Sequence, residues 1–118
     1  MNRTMKSNNI LKMSLIAMLV TIGITYPAMG STAEYTVVIE NHVFMPDRIE
    51  VAAGQKHRLI VLNHDATPEE FESYELNREK VVAGNSKIVI FLPALDAGEY
   101  PFFGEFNPDT AQGRIVAK

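Results

Sequence analysis

Residues 44 to 62 read FMPDRIEVAAGQKHRLIVL, two short β-branched runs on either side of a turn. In the first run Ile49 and Val51 alternate with charged residues, and this period of two gives a strand one buried and one wet face. The second run, residues 57 to 62, is rich in Leu, Ile and Val, and Gly54 lies between the runs, where turn residues separate strands. The stretch therefore predicts two β-strands joined by a turn.

The same pattern continues along the chain. Further apolar runs, separated by Gly, Pro, Asn and Asp, complete a set of six predicted strands at residues 35–39, 48–52, 57–62, 86–92, 99–103 and 113–117. Strands at this spacing in fewer than about 90 residues are typical of an antiparallel all-β sandwich or small barrel.

Residues 64 to 82 interrupt this pattern. Thr67 and Pro68 could begin a short helix, with Glu70 at the position that completes a capping box. We therefore expect a short helix or a long loop around residues 67–82, and a long loop in a small domain is often functional.

The first thirty of the 118 residues differ from the rest. A cationic start, an apolar run over residues 13 to 25 and small residues up to Gly30 are typical of a secretory signal peptide. We expect residues 1–30 to be this signal peptide, cleaved on export, and residues 31–118 to be one periplasmic domain without membrane insertion. That domain has eight Lys and Arg against all 14 Asp and Glu residues, a formal charge of −6. Such a charge argues against nucleic acid as a partner.

The chain has no cysteine. This excludes disulfides, thiolate zinc sites, iron–sulfur clusters and cysteine nucleophiles. It also excludes a type 1 blue-copper centre, because that centre needs a thiolate ligand.

Three motifs resemble the cupredoxins in their order and spacing. They are Phe44-x-Pro46-x-x-Ile49-x-Val51-x-x-Gly54, then Asn63-x-x-x-x-Pro68, then Gly98-x-Tyr100-x-Phe102 leading to Gly113-x-Ile115-Val116. The resemblance covers nearly all of residues 35 to 118 and implies a cupredoxin-like Greek-key β-sandwich with copper at one end.

The resemblance also implies where the copper ligands of that family would lie. The first histidine follows the loop proline, and Glu69 occupies that position. The cysteine, the second histidine and the methionine would lie after Phe103, where this chain has Gly104, Asn107 and Ala111 or Gln112. None of the four expected copper ligands is present.

Other stretches of the sequence are similar to a branch of the same fold that has no cysteine. This branch comprises the small periplasmic cupredoxin-like domains of bacterial iron-uptake systems, including the amino-terminal domain of EfeO-type proteins. The similarity rests on residues 65–73 (DATPEEFES), 78–80 (REK) and 100–106 (YPFFGEF). It implies a part in iron or copper handling beside a ferrous-iron permease.

Carboxylates and imidazole are the ligands available for such a metal. Carboxylates suit iron, manganese and calcium, and an added imidazole suits copper and zinc. The resemblance places His42 and Glu69 at the metal end, and we predict that they bind one copper or iron ion, with Glu70 or Glu105 as further ligands.

Other interpretations of these residues stay open. The acidic run could be a solvated face in which Glu72, Glu75 and Glu79 pair with Arg78 and Lys80. His57, between two cations, is expected on an exposed face. The alternative function is a metal-free interaction module that docks on a transport partner through its acidic end. We do not expect an enzyme; oxidation of ferrous iron at a bound copper is the one activity that the family context suggests.

Overall fold

The computed structural model describes residues 32–118, in which every regular element is a β-strand. The nine strands are β1 (Ala33–Glu40), β2 (Val43–Met45), β3 (Arg48–Val51), β4 (His57–Asn63), β5 (Glu69–Ser73), β6 (Arg78–Val82), β7 (Ser86–Leu92), β8 (Gly98–Gly104) and β9 (Gln112–Ala117). The predicted signal peptide lies outside the described residues. Within residues 32–118, no helix has the length and apolar character needed to cross a membrane.

The strands form two mixed sheets. One has four strands in the order β2-β1-β4-β7, and the other has five in the order β3-β9-β8-β5-β6. The pairs β1–β4 and β3–β9 are parallel, and the other pairs are antiparallel. The predicted all-β sandwich is confirmed, but the expected antiparallel pairing is wrong for these two pairs.

Aromatic side chains join the two sheets in the core. Phe44 of the first sheet packs edge-on against Phe102 and Phe71 of the second, with ring centroids 5.0 and 6.3 Å apart. Phe71 and Phe102 stack on each other at 5.0 Å. Such pairs add about 0.5–1.5 kcal/mol each beyond the burial of apolar area. The sequence motif that contains Phe44 therefore holds the sandwich together.

All six strands predicted from the sequence are present, but the expected helix or long loop at residues 67–82 is wrong. The chain forms a β-hairpin there, in which β5 pairs with β6 through a turn that places Asn77 at φ 52°. Burial of Phe71 against the opposite sheet outweighs the local helix signals, since tertiary contacts override weak propensity. Glu70 therefore lies in a strand and caps no helix.

His57 is also placed differently from the expectation. It is 2% exposed, and its Nε2 donates to the carbonyl oxygen of Ala52 at 2.9 Å. It begins β4, whose alternate residues Leu59, Val61 and Asn63 are buried with it. Strand periodicity, rather than the charge of the neighbouring residues, determines which way this side chain points.

Candidate functional site

Glu69 lies at the start of β5 and is 2% exposed. Its Oε1 accepts hydrogen bonds from the backbone amides of Phe106 at 2.8 Å and of Glu70 at 3.0 Å. Its Oε2 accepts a hydrogen bond from Nδ2 of Asn107 at 2.8 Å. Both oxygens of this buried carboxylate are therefore bound by donors, two of them from the loop between β8 and β9.

Gly104 leaves the room that the Glu69 carboxylate occupies. A Cβ at position 104 would lie 2.6 Å from Cδ of Glu69 and 2.7 Å from Cβ of Ala111. Both distances are shorter than van der Waals contact. In the resemblance to the cupredoxins, Gly104 stands at the position of the cysteine and Glu69 at that of the first histidine. The space that the Glu69 carboxylate takes explains why position 104 has no side chain.

These residues do not fit a type 1 copper ion. Glu69, Gly104, Asn107 and Ala111 supply neither thiolate nor imidazole, and the chain has no cysteine to replace them. The one carboxylate among them already accepts three hydrogen bonds.

His42 lies in the turn between β1 and β2, where Asn41 and His42 adopt φ angles of 53° and 59°. Its Nδ1 lies 3.4 Å from Oδ2 of Asp65. Asp65 also accepts hydrogen bonds from the backbone amides of Asn41 at 2.8 Å and His42 at 3.0 Å. The hydrogen bond from the His42 amide is the main cause that lowers the pKa of Asp65. His42 is thus tied to Asp65 and not to Glu69.

A different group of acids converges on the outer face of the β5–β6 hairpin. Glu72 of β5 is paired in register with Glu79 of β6, and Glu70 lies two residues before Glu72 on the same face. One carboxylate oxygen from each of the three lies within 4.8 Å of the others. We call Glu70, Glu72 and Glu79 the acidic triad.

The acidic triad has no cationic partner within residues 32–118, since none of the five ion pairs found there includes it. The guanidinium of Arg78 instead donates to the carbonyl oxygens of Phe91, Leu76 and Asn77. The alternative in which Arg78 pairs with the neighbouring glutamates is therefore not what the described residues show. Glu72 is only 9% exposed, so a nearly buried carboxylate faces two others.

The surroundings raise the pKa of two members of the triad. A hydrogen bond with Glu79, then burial, then the charges of Glu79, Glu105 and Glu72 raise the pKa of Glu70 to about 7. Burial and the charges of Glu79 and Glu105 raise the pKa of Glu72 as well. A proton or a cation would relieve this repulsion.

The four predicted ligands do not form a single group in the structure. Within residues 32–118, the one group of three or more potential ligands is the acidic triad, which contains Glu70 alone of the four. Glu105 borders it, because its amide donates to the carbonyl oxygen of Glu70 at 2.9 Å and its charge acts on both Glu70 and Glu72. Glu69 instead accepts hydrogen bonds from the β8–β9 loop, and His42 lies beside Asp65.

Sequence reasoning did not place Glu72 and Glu79 in one group with Glu70. The signal was the Glu-x-Glu spacing of Glu70 and Glu72, which places two carboxylates on one face of a strand. Because the segment was expected to be a helix or a loop, the spacing did not indicate that the two carboxylates share a face.

A family model for the cupredoxin-like domain matches residues 12–117. The chain therefore belongs to the cupredoxin-like domain family. An uncharacterized protein of Rickettsia prowazekii (strain Madrid E) is 47% identical over 83 residues, which are 70% of this chain and 66% of that protein. The chain thus spans slightly less than two thirds of that relative.

Solved structures with the same fold are much less similar in sequence. Auracyanin A, a blue copper protein from Chloroflexus aurantiacus, has a TM-score of 0.65 at 14% identity, over 75% of this chain and 100% of that one. The metal-binding domain of the Cu(I)-exporting P-type ATPase of Streptococcus pneumoniae has a TM-score of 0.63 at 16% identity, over 75% and 89%. Amicyanin from Paracoccus versutus has a TM-score of 0.58 at 16% identity, over 79% and 85%. They are evidence for the fold.

Proposed function

We propose that this protein is a periplasmic metal-binding cupredoxin-like protein that takes part in iron or copper handling beside a ferrous-iron permease. The cation binds at the acidic triad. The observation that carries this proposal is Glu72, a carboxylate that is 9% exposed, has no cationic partner among the described residues and faces two further carboxylates. Burying such a group is costly unless a partner balances its charge.

The ligand set favours iron over copper as the cargo. The acidic triad offers oxygen atoms alone, and oxygen ligands suit hard cations. His42 would have shifted the preference towards copper, but it is bound to Asp65. Glu105, at the border of the triad, adds a further carboxylate whose charge strengthens the attraction for a di- or trivalent ion.

The related copper proteins support metal handling as a use of this fold. Auracyanin A is described as a blue copper protein, and the Streptococcus domain was solved with Cu(I). This chain has a different set of side chains at the copper end, so a cation would bind on the sheet face instead. No catalytic role is proposed.

The second candidate function is a metal-free interaction module. Exposed apolar side chains border the acidic triad: Val81 is paired with Glu70, and Tyr74 packs on Phe103 at 5.6 Å. Val81 is 53% exposed and Tyr74 73% exposed. An acidic centre with an apolar border suits a basic segment of a transport partner.

Calorimetric titration of the purified protein with Mn²⁺, and with Fe²⁺ under anaerobic conditions, tests the first function. We expect saturable binding of one ion per chain. The variant Glu72→Gln should weaken binding at least about tenfold, or about 1.4 kcal/mol. Glu75→Gln is the matched control, because Glu75 is exposed and lies outside the triad. Absence of saturable uptake in the unaltered protein would favour the interaction module.

A further inference from the structure

The loop between β8 and β9 closes the end of the sandwich where the family's copper would bind. The loop is held internally, since the amide of Gly104 donates to the carbonyl oxygen of Ala111 and the amide of Ala111 donates to that of Asn107. It is held to the sheet by Glu69, which accepts hydrogen bonds from Phe106 and Asn107 across a sequence separation of 37 and 38 residues.

The Glu69 carboxylate connects the same parts of the chain that a metal would connect. In the cupredoxins that the sequence resembles, the residue after the loop proline and residues of the β8–β9 loop bind one copper ion. Here the residue after Pro68 is the glutamate, and the loop supplies an amide and a side-chain NH₂ as donors. In this chain a negatively charged hydrogen-bond acceptor and neutral donors therefore stand where the cupredoxins have a cation and its ligands.

We propose that the Glu69 carboxylate takes the structural place of the metal ion, so that this end of the protein is closed without any metal. The proposal does not require the acidic triad to bind a metal, although the backbone of Glu70 contacts both sites: its amide donates to Glu69 and its carbonyl oxygen accepts from the amide of Glu105. Three features agree with it: burial of Glu69, full use of both its oxygens, and the absence of a side chain at position 104.

Two residues show how closely the loop is fitted to this carboxylate. Gly104 could not carry a Cβ without displacing Glu69 or Ala111. Ala111 is itself fully buried, so a larger residue there would enter the same space. A metal ion with its coordination sphere would have to displace the carboxylate and its three donors.

Amide hydrogen exchange of residues 104–111, followed by mass spectrometry in EDTA, tests this proposal. In the unaltered protein these amides should be protected. One equivalent of Cu²⁺ or Mn²⁺ should leave the exchange rates of residues 106–111 unchanged, since Glu105 is the residue of this segment that borders the acidic triad. Glu69→Ala should speed exchange of this segment at least about tenfold, because local opening costs less without the carboxylate. Glu75→Ala is the control and should leave the rates unchanged.

Asn107→Ala removes a single donor and keeps the experiment decisive if Glu69→Ala does not fold. It should also speed exchange of the segment, by less than Glu69→Ala does. The proposal is overturned if the loop exchanges freely in EDTA and becomes protected when metal is added. It is equally overturned if neither variant changes exchange. Failure of the acidic triad to bind metal would refute the proposed function without affecting these results.

Discussion

One carboxylate oxygen of Glu70 lies within 4.8 Å of one of Glu79, and two carboxyl groups can form a hydrogen bond only when one of them is protonated. The pKa of Glu70 is raised to about 7 with this hydrogen bond as the first cause. Near neutral pH the metal-free triad therefore exchanges a proton with solvent. The same oxygens are available to a cation once that proton leaves.

This proton gives a prediction about stability and pH. Since the pKa of Glu70 rises from 4.5 in the unfolded chain to about 7, the folded state binds the extra proton between these values. The stabilisation is fully present below about pH 4.5 and is lost as the pH rises through about 7. In EDTA, thermal unfolding should therefore occur at a lower temperature at pH 8 than at pH 5.5.

Substitution of Glu79 supplies the control for that trend. In Glu79→Gln the side chain donates to Glu70 without a shared proton, so the unfolding temperature should depend less on pH. Glu75→Gln, an exposed residue of the same hairpin, should keep the full trend. An unfolding temperature of the unaltered protein that rises from pH 5.5 to pH 8 would contradict the shared proton.

Gly104 provides a prediction about packing. The variant Gly104→Ala places a methyl group 2.6 Å from the Glu69 carboxyl carbon. Overpacking of this kind costs about 1–3 kcal/mol. Urea unfolding should report that loss, and a variant as stable as the unaltered protein would mean that the carboxylate has room to move.

At the scale of elements, the turn between β1 and β2 contains two residues with positive φ, Asn41 and His42. Turns of this kind favour glycine at the second position. His42→Gly should therefore raise the free energy of unfolding by about 1 kcal/mol. Because His42 lies outside the acidic triad, the same variant should bind Mn²⁺ as tightly as the unaltered protein.

His64→Gly is the matched control for this turn. His64 is exposed and is not among the described residues with positive φ, so glycine there should lower stability slightly by loosening the unfolded chain. A loss of Mn²⁺ affinity in His42→Gly would indicate that His42 is a ligand of the bound ion.

The β5–β6 hairpin explains where sequence reasoning failed and where it succeeded. Strands such as β4 and β9 are recognisable because apolar residues recur in short runs. In β5, however, the inward positions include Glu69 and Ser73, whose polar groups are satisfied by distant donors and acceptors. Those partners lie in β8 and the following loop, far away in sequence. The strand could not be identified without them, and neither could the triad on its outer face.

At the scale of the whole molecule, negative charge exceeds positive charge. Residues 31 to 118 carry eight Lys and Arg against 14 Asp and Glu. The ion pairs in the described part of the chain leave the acidic triad uncompensated. A cation that binds there would stabilise the folded state by about 2.7 kcal/mol at a concentration of 100 times its Kd.

Cation binding should also oppose the pH dependence of stability that is expected in EDTA. Protons and Mn²⁺ compete for the oxygens of Glu70, so binding strengthens as the pH rises through about 7. With saturating Mn²⁺ the increase in unfolding temperature over the EDTA sample should be larger at pH 8 than at pH 5.5. Scanning calorimetry at both pH values measures this difference. An equal increase at both would place the ion away from Glu70.

The position of a bound ion tests the central claim most directly. Crystals of the protein grown with Mn²⁺ should give an anomalous difference peak on the outer face of the β5–β6 hairpin. The peak should lie about 2–2.6 Å from carboxylate oxygens of Glu70, Glu72 and Glu79. A peak beside Glu69 and Asn107, a peak beside His42, or no peak at a saturating concentration would contradict the account.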